Sequence, residues 1–141
     1  MMKLLLPLFA ALALCLTPCL SRAQTQTRER AAQTAAEQWL ALVDAGKYAE
    51  SWDNMSPDFK KQVSKSKWSS TIAEIRKLPG KVVSRKLKSA EYTKELPGAP
   101  EGEYVVLKFD AAFEKKPSAV ETVTTILGQD LLWRVSGYSV K

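Results

Sequence analysis

The run Tyr104-Val105-Val106-Leu107-Lys108-Phe109-Asp110-Ala111-Ala112-Phe113 alternates with a period of two. Val105, Leu107, Phe109, Ala111 and Phe113 fall on one face, and Tyr104, Val106, Lys108, Asp110 and Ala112 on the other. That spacing is the mark of a strand with one buried side, because successive side chains leave a strand in opposite directions. Working outward toward the C-terminus, Ala119 to Leu127 is rich in β-branched residues and reads as the next strand. Gly128-Gln129-Asp130 supplies a hairpin turn into a last strand, Leu131 to Val140. Toward the N-terminus, the loop Leu96-Pro97-Gly98-Ala99-Pro100-Glu101-Gly102 precedes the quoted strand. Before it, Lys81 to Tyr92 is a more polar strand, expected nearer a sheet edge.

Upstream of Pro79-Gly80 the period changes to helical. Ala32, Ala35, Ala36, Trp39, Leu40 and Val43 follow i, i+3, i+4, i+7, i+8, i+11 spacing, which predicts an amphipathic helix over Arg28 to Asp44. Gly46 then offers a left-handed stop. Lys47 to Met55 predicts a short second helix, with Tyr48, Ala49, Trp52 and Met55 on one side. Ser56-Pro57 opens a third, since serine caps free amides and proline suits the first turn. Trp68, Ile72 and Ile75 mark a fourth helix over Lys65 to Leu78, ended by Pro79-Gly80. Helices first and an antiparallel meander afterwards predict an α+β domain, with N-terminal helices laid on one face of a curved sheet of about four strands.

The first 23 residues read differently. Lys3 gives a positive start, Leu4 to Leu16 an apolar run, and Ser21-Arg22-Ala23 a small-x-small cleavage site before Gln24. The run is shorter than the roughly 20 apolar residues of a transmembrane helix. Residues 1–23 are therefore expected to be a cleaved export signal and 24–141 a single small domain, periplasmic or secreted, with residues 24 to 29 as a short flexible lead. A lipid anchor on Cys15 or Cys19 is the rival, but Leu14 and Pro18 stand where a small residue belongs. Loss of Lys3 and Arg22 with the leader lowers the formal charge from +6 to +4. The densest basic stretch, Lys77, Lys81, Arg85, Lys86 and Lys88, is expected to be a solvated strand face, with anionic lipid or an acidic envelope polymer as its alternative partner. No nucleic-acid motif is present.

Cleavage would also remove both cysteines, and the chain has no histidine. A Ser-His-Asp triad, a thiol nucleophile and the common zinc sites are thereby excluded from the mature domain, and no metal or cofactor is expected. No phosphate loop or dinucleotide fingerprint occurs. A pocket carboxylate working with a tyrosine is the catalytic route left. Asp110 and Glu121 each interrupt an apolar strand; alternation puts Asp110 outside, and Glu121 shares a face with Ala119, Val123 and Leu127. Its bland role is an exposed cross-strand ion pair with Arg134. If a ligand binds, Trp39, Tyr48, Trp52, Tyr104, Trp133 and Tyr138 are the aromatic candidates to line its site; as core residues they need no ligand.

Ala36-Glu37-Gln38-Trp39-Leu40, Asp44 to Trp52 (DAGKYAESW) and Trp133 to Tyr138 (WRVSGY) resemble the small exported bacterial proteins grouped as domain of unknown function 4019. Lys81-Val82-Val83-Ser84-Arg85 and Leu96 to Tyr104 (LPGAPEGEY) carry the same resemblance, which spans the mature chain. That family implies no activity. More loosely, the organisation resembles the cone-shaped fold of nuclear transport factor 2, in which helices pack on a curved sheet and often enclose a pocket. Three functions stay open: a non-catalytic accessory module binding a small apolar ligand or an envelope protein, a small lyase or isomerase built on Glu121, and a homodimer through the sheet face. A deep pocket with an inward carboxylate favours the enzyme; a filled core with exposed apolar surface favours binding.

Overall fold

The computed structural model describes residues 17–141; most of the expected leader, residues 1–16, lies outside that range. Four helices come first: α1 (Thr17–Asp44), α2 (Tyr48–Asp53), α3 (Pro57–Gln62) and α4 (Lys65–Lys77). Four strands follow: β1 (Val82–Thr93), β2 (Tyr104–Phe113), β3 (Lys116–Leu127) and β4 (Trp133–Val140). The strands pair in chain order, each antiparallel to the next, so β1 and β4 are the sheet edges. This is the α+β architecture that the change of period predicts.

The helix stripe and the strand alternation meet as one core. Ala32, Ala36, Trp39, Leu40 and Val43 of α1 are buried with Val105, Leu107 and Phe109 of β2. Met55, Val123, Val135 and the α4 residues Trp68 and Ile72 complete the cluster. Each fully buried large apolar side chain contributes about 1.5–3 kcal/mol, so α1 is held chiefly by this stripe. A smaller cluster, Ala111, Phe113 and Ala119 with Val82 and Val140, closes the other end of the sheet.

Helix α1 begins well before Arg28. Residues 24 to 29, expected as a flexible lead, are helical, because no glycine or proline interrupts the chain from Cys19 to Ala45. The segment is also tied down: Arg28 stacks 5.0 Å from the Tyr92 ring centroid and lies 3.5 Å from Glu103. The connections follow local chemistry. Ser56 caps α3 by accepting a bond from the Phe59 amide, and Gly46 and Gly80 take φ of +74° and +77° at the turns that end α1 and lead into β1. The Ser56 amide donates to the Val135 carbonyl, and Met55 bridges to Val135, so the α2–α3 link covers part of the β4 edge.

Candidate functional site

Alternation along β3 turns Glu121 into the protein, where it is 0% exposed. Its partner is Arg85, which sits opposite Ala111 of β2, itself opposite Ala119 of β3. Two alanines in that row leave room for the Arg85 side chain to lie across the sheet, with Nε 2.6 Å from Glu121 Oε1. The Tyr138 hydroxyl of β4 donates to the other carboxylate oxygen at 2.5 Å. The far end of Arg85 grips Asp44, the last residue of α1, at 2.7 and 3.0 Å. Arg76 of α4 donates to the same carboxylate at 2.8 Å and stacks 5.1 Å from the Phe113 ring centroid. Two carboxylates, two guanidiniums and a phenol thus join α1, α4, β1, β3 and β4. Arg76 Nε and Nη1 are buried without a partner among the described residues.

The electrostatics follow from burial and pairing. Burial pushes the Asp44 carboxyl up, but Arg85 and Arg76 together outweigh it and hold it below the usual carboxylate value. Burial, then the charge and hydrogen bond of Glu121, push the Tyr138 phenol well above its ordinary range. Burial lowers the Arg85 guanidinium, yet its contacts with Asp44 and Glu121 leave it raised overall.

Two expectations are corrected here. Glu121 is not an exposed residue paired with Arg134: its β4 neighbour is Val140, while Arg134 sits opposite Ile126. Arg134 binds Asp130 instead, at 2.9 and 2.7 Å. Arg85 is not part of a solvated basic face, because the two acids inside draw it inward. Asp110 is exposed as expected, 3.7 Å from Lys88.

The candidate aromatics divide among three places. Trp39 packs 6.0 Å from Trp68 and 5.3 Å from Tyr138 in the core. Ser51, buried on α2, ties this group: its carbonyl accepts from the Trp39 indole at 3.0 Å and its hydroxyl from the Trp68 indole at 2.9 Å. Tyr48 and Trp52 pack against the same core, with the Trp52 indole donating to the Val63 carbonyl at 2.7 Å. Tyr104 stands apart, buried beside the β1–β2 loop with its hydroxyl on the Pro100 carbonyl at 2.6 Å. Sequence spacing did not single out Ser51 or the Asp44–Arg76 contact. Ser51 lies between Tyr48 and Trp52, in a segment whose aromatics were its one pointer.

Trp39 and Trp133 also line an open groove of about 430 Å³ between α1 and the β3–β4 hairpin. Ala31, Ala35, Leu42 and Leu132 supply much of its apolar wall. Leu131 and Leu132 are 76% and 57% exposed beside it. Leu131 holds φ at +64°, a conformation that costs a non-glycine residue about 1–2 kcal/mol. The hairpin is braced by Asp130, which accepts from the Leu132 amide and from Arg134. The Arg134 bonds, with help from that amide, hold the Asp130 carboxyl at about 2. Glu121 does not line this groove.

Among the described residues, no three His, Cys, Asp or Glu side chains gather as a metal site, and no helix is long and apolar enough to cross a membrane. A family model described as "Protein of unknown function (DUF4019)" matches residues 35–138. Comparison with the curated proteins and with the solved structures finds no match.

Proposed function

Because the chain belongs to the DUF4019 family, whose description assigns no activity, we propose from the site itself that it is an exported, non-catalytic accessory domain that binds a small apolar ligand. The carrying observation is the contrast between its two polar and apolar features. Glu121, the carboxylate that enzyme chemistry needs, is 0% exposed and its oxygens are occupied by Arg85 and Tyr138. Trp133, Leu131 and Leu132 instead surround an open groove whose volume falls within the usual range of small-molecule sites. Polar residues of its lining, Thr34, Gln38 and Asn54, would orient a ligand that carries one hydrogen-bonding group.

Export rests on the leader pattern of residues 1–23. In support, Leu20 to Ala23, the part of the leader whose side chains are described, are exposed, and the first buried side chain described in α1 is that of Ala32. Native mass spectrometry of protein purified from the envelope fraction tests both parts. The expected result is a chain beginning at Gln24 that carries a small molecule, with the molecule lost in Leu132→Asp. An empty domain that also fails to take up an apolar fluorescent probe would sink the binding reading, and a retained leader would sink export.

A further inference from the structure

The antiparallel register gathers the start of β1, the β2–β3 hairpin and the end of β4 at one end of the sheet. Lys81, Lys86, Lys88, Lys108, Lys115 and Lys116 lie in that half, against the carboxylates Asp110 and Glu114. The opposite end carries Glu91, Glu95, Glu101, Glu103 and Asp130, against Lys94, Arg134 and Arg28. The fold therefore sorts charge along the strand axis, although the chain as a whole is only mildly basic. Arg85, turned inward to Asp44 and Glu121, takes no part in the basic end.

That end also exposes apolar side chains. Leu78 and Val83 are 82% and 69% exposed, and Lys77 and Lys81 flank Leu78 in sequence. Leu78, Ile75, Pro79 and Val140 form an apolar groove of about 510 Å³ with Lys115 and Lys116 on its wall. The piece is stitched together: the Lys115 amide donates to the Pro79 carbonyl and the Glu114 amide to the Lys81 carbonyl, each at 2.9 Å. Lysines around exposed leucine and valine match an interface that is anionic at its surface and hydrocarbon just beneath. A polyanion without apolar groups would satisfy the lysines and leave Leu78 and Val83 in water.

We propose that the basic end, formed by the α4–β1 turn and the β2–β3 hairpin, docks this domain on anionic phospholipid. Lysine ammonium groups meet headgroup phosphates, while Leu78 and Val83 enter the headgroup–acyl boundary. The ligand groove beside Leu132 and Trp133 lies toward the other end of the sheet, at the far side from the lipid.

Sedimentation of the full chain with phosphatidylcholine vesicles, with and without phosphatidylglycerol, tests this. The leader, wherever it is retained, carries Lys3 and Arg22 and favours phosphatidylglycerol too, but it is common to every variant, so the differences among variants read the basic end. The expected result is stronger binding with phosphatidylglycerol, weakened by salt. Lys81→Gln with Lys115→Gln and Lys116→Gln should lower it by roughly a hundredfold, since each lysine is worth about fivefold at such a surface, and the corresponding Glu variants should lower it further. A control of equal charge change on the helical side, Lys47→Glu with Lys61→Glu and Lys67→Glu, should leave most of the binding. Leu78→Ser should weaken it several-fold with the salt dependence kept. Circular dichroism of every variant shows that the fold survives. Equal loss in the control would reduce the effect to net charge and overturn the proposal. So would indifference to phosphatidylglycerol, or binding to soluble polyphosphate with none to vesicles.

Discussion

Glu121→Gln separates a structural carboxylate from a working one at the level of a single residue. In an exposed cross-strand pair the change would cost under about 1 kcal/mol. Here it leaves Arg85 and Tyr138 facing a weaker acceptor in a dry site, and breaking a buried pair costs about 3 kcal/mol or more. Urea denaturation should therefore show a clear drop in midpoint, while binding in the α1–β4 groove changes little. Unchanged stability with lost binding would restore the catalytic or ligand role. Asp44 gives a pH test of the same network. Its folded-state carboxyl lies below the ordinary 3.8, so its contribution is present above that value and is lost as pH falls through the lower folded one. Stability of the wild type should fall in that acid window more steeply than stability of Asp44→Asn. Parallel curves would show that the Arg76 and Arg85 contacts do not matter in solution.

At the scale of elements, the helical layer depends on a serine that no amphipathic pattern marks. Ser51 on α2 accepts the indole bonds of both Trp39 on α1 and Trp68 on α4. Ser51→Ala keeps the backbone carbonyl bond to Trp39 but orphans the buried Trp68 N–H, at an expected cost of about 1–3 kcal/mol. Thermal unfolding checks this, and Trp68→Phe in the same background should recover part of the loss by removing the orphan donor. A Ser51→Ala protein as stable as the wild type would show that the indole finds another acceptor. Trp39→Ala is the larger perturbation, expected to cost about 3–5 kcal/mol, because it empties the space between α1, α4 and β4. A denaturation midpoint that did not move would contradict the helix-on-sheet packing.

On the scale of the whole molecule, Tyr138 and the proposed loss of Cys15 and Cys19 with the leader bear on how stability responds to solution conditions. A phenol raised above its ordinary 10.0 binds its proton more tightly in the folded state. Stability is therefore fully present below that pH and declines as pH rises above it. Tyr138→Phe should flatten the alkaline limb of a stability–pH profile; an unchanged limb would place the loss elsewhere. Once residues 1–23 are removed no cysteine remains, so the mature domain should melt at the same temperature with and without reductant. A shift on reduction would mean that Cys15 or Cys19 had survived.

Helical spacing from Ala32 to Val43 and alternation from Val105 to Phe113 were enough to specify the layers, because a repeating apolar stripe can be buried only one way for each period. Ser56-Pro57, Gly46 and Pro79-Gly80 likewise announced their turns through local backbone chemistry. Counting placed Glu121 on the same face of β3 as Ala119 and Val123, but neither its burial nor its partner followed from that. Arg85 lies 36 residues away in the chain and Asp44 lies 41 residues from Arg85. They meet because Ala111 and Ala119 fall in the same row of the folded sheet, and because α1 ends over that row. The exposed Leu131 and Leu132, the sorted lysines and the bridging Ser51 arose in the same way. A sequence records which residues repeat and which turns are allowed; long-range register decides which charges and rings become neighbours.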